Sequence, residues 1–240
     1  MTRPKRRWLV VLLVAVLALV TGGGLAFAFP SVAAITCPRC YGLTAIADGL
    51  YTERGRPEAD RQRLIQLYGD ASRRVSDFYG GRESSPRVLA CFTSGCYERI
   101  GGGGERGIAV LNRAVMLAPR GIDPVIAAHE FSHVELHERL GGRRAEVPQW
   151  FDEGLAVLVS DDSRYLLPST ATDRCRVTSD ERLPETLDAW LSAAGADEQA
   201  YAKAACRVSR WADRHGGPRA VLDLIDSLNR GEPFTAAVSD

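Results

Sequence analysis

Two histidines four residues apart, His129 and His133, with Glu130 beside the first, are the residues of this chain best placed to do chemistry. On a helix this spacing projects both imidazoles from one face, where they can meet a single ion. Glu130 projects about 100° around the helix from His129, so its carboxylate can reach a water at that ion without ligating it. Neutral imidazoles suit Zn2+ in a tetrahedral set with one open position, and zinc brings the pKa of water towards ~7, where a nearby carboxylate can take the proton. Two histidines leave such a set incomplete. Glu153, 20 residues after His133 in Pro148-Gln149-Trp150-Phe151-Asp152-Glu153-Gly154-Leu155-Ala156, is the expected third ligand. A turn through Gly141-Gly142 lets a second helix pack back antiparallel on the first, with Trp150, Phe151, Leu155 and Val159 as packing surface and Gly154 and Ala156 small enough for close contact. His137 lies about 12 Å along the axis from His129, too far to share the ion, and is expected behind the site or at the surface. His215, before Gly216-Gly217, reads as a helix C-terminal cap.

The elements that must position these residues follow from periodicity and caps. Asp123-Pro124 is a helix start, with Asp as N-cap and Pro at the first helical position, and the helix should run to about Leu140. Pro148 opens another helix through Val159. Residues 43–78 read as two helices broken at Gly55-Arg56-Pro57, because Ile46, Leu50, Leu64, Ile65, Leu67, Tyr68, Val75 and Phe78 recur at mostly three- to four-residue steps. Strands are expected at 87–92, 108–111 and 115–118, a short helix at 97–100, and later helices near 185–194, 199–214 and 218–229. The fold class is therefore α+β: a small sheet followed by a mostly helical C-terminal half. Gly102, Gly104 and Gly107 match G-x-G-x-x-G formally. A strand rather than a helix should follow them, and no Gly-Lys-Ser/Thr occurs, so nucleotide binding is not expected.

The two motifs together resemble those of the gluzincin metallopeptidases. H-E-x-x-H followed by W-F-D-E-G-L-A is similar to the aminopeptidase N-like members, with their W-x-x-E-G-x-A segment, and to the smaller peptidase MA-like domains; the thermolysin-like branch shares the step to the glutamate. The resemblance covers about residues 109–235. It implies a zincin-like sheet with an active-site helix, His129, His133 and Glu153 as zinc ligands, and Glu130 as general base and later proton donor. The thermolysin-like pattern has an acid four residues after its ligand glutamate, where this chain has Val157, so orientation of the ligands must come from elsewhere; Asp161 and Asp162 are the candidates. Tyr201-Ala202-Lys203-Ala204-Ala205 resembles the Y-x-K-G-A segment that supplies an oxyanion-binding tyrosine, with Ala204 in place of the glycine. This implies Tyr201 in that role, with Tyr165 as the alternative. The edge strand before the metal helix is expected to pair with an extended peptide. The G-x-M-E-N motif of aminopeptidases is absent, which favours an endopeptidase.

The setting is extracytoplasmic. Of 30 basic side chains, Arg3, Lys5, Arg6 and Arg7 precede the uncharged run from Trp8 to Phe29. At about 1.5 Å per helical residue that run can span a bilayer, so residues 1–36 read as an uncleaved signal anchor or, alternatively, a cleaved signal peptide. Residues 37–240 then form one domain, in which 26 basic face 30 acidic side chains, a balance that argues against a nucleic-acid partner. Six cysteines, an even number in an exported chain, are expected as disulfides; sequence does not fix the pairing, but local spacing favours Cys37–Cys40 and Cys91–Cys96, which leaves Cys175–Cys206. The expected function is zinc-dependent peptide hydrolysis. The alternatives are a non-catalytic binding module on the same fold and, further back, a membrane-tethered thiol oxidoreductase acting through Cys37 and Cys40.

Overall fold

The computed structural model describes residues 29–177 and 181–238, the side chains of 144–146 excepted. Most of the proposed signal anchor lies outside these residues. Among the described residues no helix is long and apolar enough to cross a membrane.

A five-stranded mixed sheet is built from β1 (Leu43–Ala47), β2 (Leu50–Glu53), β3 (Arg87–Ala90), β4 (Gly107–Val110) and β5 (Ala114–Leu117), in the order β1-β2-β3-β5-β4. β1 and β2 form an antiparallel hairpin, β2–β3 and β3–β5 are parallel, and β4 lies antiparallel to β5 as an edge. The alternation of the strands buries both faces. Val88, Ala90, Val115 and Leu117 meet the main helical core, whereas Leu89 and Met116 face a smaller cluster with Ala34 and Ile35 of α1 (Pro30–Thr36) and Tyr97 of α3 (Ser94–Arg99).

The hairpin corrects the sequence expectation, since residues 43–53 are strand and not helix. Their burial alternates with period two, and Asp48-Gly49, with Gly49 at φ +67°, supplies a two-residue turn. Asp-Gly between alternating residues was the overlooked signal. The single helix α2 (Glu58–Tyr79) follows, burying Leu64, Leu67, Ala71, Val75 and Tyr79 as one stripe.

Helix α4 (Pro124–Leu140) starts as the sequence predicts: the Asp123 carboxylate accepts from the Val125 N–H at 2.8 Å and Pro124 occupies the first turn. It packs against α2, where the Tyr68 and Phe131 rings meet edge to face at 5.5 Å, and beside the sheet. It ends at Gly141, whose φ of +53° a side chain would strain. After a 3-10 turn (Gly141–Glu146), α5 (Gln149–Ser160) packs on α4 through Phe151, Leu155 and Val159, in one cluster with Phe131 and Leu136. Then come α6 (Leu187–Ala196), α7 (Ala200–His215), α8 (Pro218–Asn229) and α9 (Phe234–Ala237), which make the C-terminal half mostly helical, as expected. Gly154 permits a close crossing with α7: a Cβ there would stand 2.6 Å from the Ala204 carbonyl oxygen.

All three disulfides form in the expected pairing, and they point to an oxidising compartment. Cys37–Cys40 closes a 3-10 turn (Pro38–Tyr41), and Cys175–Cys206 fastens a loop to α7.

Candidate metal centre

α4 and α5 bring three donors to one point. His129 Nε2 and His133 Nε2 stand 3.1 Å apart, and Glu153 Oε2 lies 3.4 and 3.7 Å from them. Donors bound to one tetrahedral zinc at ~2.0–2.1 Å are separated by about 3.3–3.4 Å, so the triangle fits that ion. The chemistry of the donor set agrees. Asp152 Oδ1 accepts from His133 Nδ1–H at 2.7 Å, which leaves His133 Nε2 as a lone pair aimed at the other two donors. All three side chains are largely buried, between 11 and 13% exposed. A cluster of two imidazoles and a carboxylate there can hold a metal ion, as the sequence predicts for His129, His133 and Glu153.

Orientation comes from residues that sequence reasoning missed. Asp152 divides its oxygens, Oδ1 to His133 and Oδ2 to His137 Nε2, both at 2.7 Å. Burial alone would raise its pKa, but the two histidines overcome this and hold the carboxyl well below the usual carboxylate range. The same logic acts on His133: burial would depress it, yet without a metal Asp152 and Glu153 push it up to about 10, so a metal ion there would take the place of the Nε2 proton. Gln149 Nε2 donates to Glu153 Oε1 at 3.1 Å and leaves Oε2 for the metal position. Both residues stand in the stretch that contains Glu153, one and four places before it, which was the available signal. Asp161 and Asp162 do not serve. Both follow the end of α5, where Asp161 pairs with Arg174 and Asp162 with Arg164. His137 stands behind the site, as its distance along the helix requires. His215 Nδ1 bonds the Trp211 carbonyl at 2.7 Å, a helix-end contact as expected.

Glu130 is 8% exposed and lines a cleft of ≈260 Å³ together with His129, Gly107, Arg106, Arg120, Arg164, Tyr165 and Tyr201. Burial raises its pKa, while the two histidines and the Ala109 N–H act in the opposite sense. β4 presses on it: a Cβ at Gly107 would stand 2.9 Å from Glu130 Cγ. The carboxylate is therefore fixed between the metal position and the edge strand.

Tyr201, on the first turn of α7, stacks on Tyr165 at 5.3 Å and meets Trp190 edge-on at 5.1 Å, with its ring 6.2 Å from that of His129. Burial, and then Glu153, raise its pKa, so the phenol remains a donor across the neutral range. Both tyrosines weighed from the sequence thus face the cleft. Gly102 and Gly104 precede a strand, so they make no phosphate loop of the strand-to-helix kind. Comparisons with family models, with curated proteins and with solved structures find no match to this chain.

Proposed function

We propose that this chain is a gluzincin-type zinc peptidase that hydrolyses peptide bonds outside the cytoplasm. The observation that carries the reading is the pairing of a three-donor cluster with a separate buried carboxylate, Glu130, on the cleft side of the same helix. A purely structural site uses four protein donors; three donors, of which His129 lines the cleft beside Glu130, leave a position open. When bound, zinc supplies the Lewis acidity that makes water acidic near neutrality.

The chain supplies the rest. His129, His133 and Glu153 hold the ion, and Asp152 and Gln149 fix two of them in orientation. Glu130 takes a proton from the attacking water at its carboxylate and returns it to the leaving nitrogen; the burial that raises its pKa suits it to hold that proton in between. The Tyr201 hydroxyl donates to the oxygen that becomes negative as the carbonyl carbon turns tetrahedral, and Tyr165 steadies the phenol by stacking. β4, the edge strand among the described residues, offers the backbone groups that Glu130 does not take at Ala109 to an extended peptide, which brings the scissile bond to Glu130. The proposed location follows from the disulfides together with the uncharged N-terminal run, which would hold the domain at a membrane.

Digestion of a broad peptide library by the chain tests this, with zinc, with a chelator and after zinc is restored. Cleavage that disappears on chelation and returns with zinc is expected. Stoichiometric zinc with no cleavage of any peptide would replace this reading with a binding module.

A further inference from the structure

The turn between β4 and β5 adopts an expensive conformation without glycine. Leu111 and Asn112 have φ of +52° and +53°, and the Arg113 N–H closes the turn on the Val110 carbonyl at 3.1 Å. Asparagine tolerates the left-handed region, but leucine does not, and Leu111 is 61% exposed, so packing does not offset the cost. Backbone strain of this kind persists where the surroundings make use of it. The Asn112 side chain shows the use. Its Oδ1 stands 2.9 Å from His137 Nδ1, His137 Nε2 is 2.7 Å from Asp152 Oδ2, and Asp152 Oδ1 is 2.7 Å from His133 Nδ1. With His137 Nε2–H donating to Asp152, Nδ1 accepts, and the Asn112 amide meets it with its NH2 after a half-turn that exchanges the amide oxygen and nitrogen. Three hydrogen bonds then run without a break from the tip of the hairpin to an inner donor of the metal cluster.

We infer that the β4–β5 turn is a positioning device: Asn112, through His137 and Asp152, sets the orientation of the His133 imidazole. The inference rests on the metal-centre reading and extends it to residues that touch neither metal nor cleft. A carboxylate bonded on one oxygen only can swing about its last side-chain bond. With Oδ2 held by His137, Asp152 cannot swing, and the ring plane of His133 is fixed with it. His137 is in turn held by Asn112. An ordinary helix-end role for His137 does not account for its contacts, because its ring nitrogens meet side chains, unlike the His215 Nδ1, which meets a carbonyl of its own helix. The same hairpin carries Gly107 and Ala109 against Glu130. One strand pair thereby registers both the base and a ligand.

The test measures zinc affinity by competition and the rate of zinc transfer to an excess of chromophoric chelator, in the full chain, with melting temperature recorded alongside. Asn112→Gly is the decisive variant. Glycine accepts positive φ freely, so this variant should melt at or above wild type, yet release zinc roughly ten-fold faster. His137→Ala should weaken zinc binding by roughly 10- to 100-fold, and His137→Gln, which keeps a donor towards Asp152, should recover part of that loss. Leu111→Asn eases the same turn without touching the hydrogen bonds and should leave zinc release unchanged. Wild-type zinc release by Asn112→Gly would overturn the inference while leaving the metal centre standing. A wild type that takes up no zinc overturns both.

Discussion

Helix α4 buries two glutamates five residues apart and treats them in opposite ways. Glu135, fully buried, accepts from the Glu83 and Ser84 N–H groups, the Ser84 hydroxyl and Arg139 Nε, at 2.6 to 3.0 Å. Burial would raise its pKa, but these donors hold it below the ordinary value. Glu130, on the cleft side, has a raised pKa and, among the described residues, a backbone N–H as its hydrogen-bond donor. A carboxylate surrounded by donors fixes structure: Glu135 pins the segment after α2 to the metal helix. A carboxylate buried with its bonding capacity unspent is left free for a reaction.

The largest expected effect comes from removing the reactive member. Glu130→Gln should lower kcat/KM on a cleaved peptide about 10³-fold, equivalent to ~4 kcal/mol, with zinc stoichiometry and unfolding free energy kept. If stability fell and activity survived, the contrast would be broken. Glu135→Gln should do the reverse. It removes the buried carboxylate that Arg139 Nε meets, leaving Arg139 only its pair with the exposed Glu83, and should cost about 3 kcal/mol in urea unfolding at pH 7, with activity per folded molecule unchanged. Because the folded pKa of Glu135 lies below the unfolded value of about 4.3, that difference is complete above the unfolded value and should shrink as pH falls through the folded one. A difference that stays constant to the lowest pH at which the chain folds would remove the charge from the account. Tyr201→Phe is next: kcat should fall about 10²-fold with zinc affinity unchanged, and an equal fall for Tyr165→Phe would reassign the donor. The smallest effect sharpens the role of β4. Gly107→Ala forces Glu130 aside and should cost about ten-fold in kcat/KM, ~1.4 kcal/mol, without loss of zinc.

What the sequence made legible was local or periodic. The start of α4 was written in Asp123-Pro124, the imidazole pair in a four-residue spacing, and the exclusion of His137 from the ligands in the rise per residue. The helical C-terminal half followed from its apolar stripes. What it hid depended on tertiary contacts. Asp152 beside Glu153 looks like any acid on a helix until α5 packs on α4, and Asn112 is one more turn residue until the hairpin tip meets the end of α4. The β1–β2 hairpin was hidden for another reason: Leu43, Ile46 and Leu50 satisfy a helical spacing by coincidence, and the Asp48-Gly49 turn outranks it. The thermolysin-like pattern places an acid four residues after its ligand glutamate, whereas in this chain the carboxylate that bonds His133 stands one residue before Glu153.

The bridge from Cys175 to Cys206 has a consequence for where the protein can persist. It closes a separation of 31 residues and ties the hairpin-like loop of residues 166–175, next to Tyr165, to the helix that carries Tyr201. Such a closure restricts the unfolded chain far more than the folded one and is worth about 4 kcal/mol, a large fraction of the 5–15 kcal/mol that holds a typical domain together. Reduction would therefore act on the number of folded molecules before it acted on the turnover of any one of them. The redox poise of the compartment would set how long the chain survives, and a thiol-rich surrounding would clear it by unfolding and proteolysis with the cleft chemistry untouched.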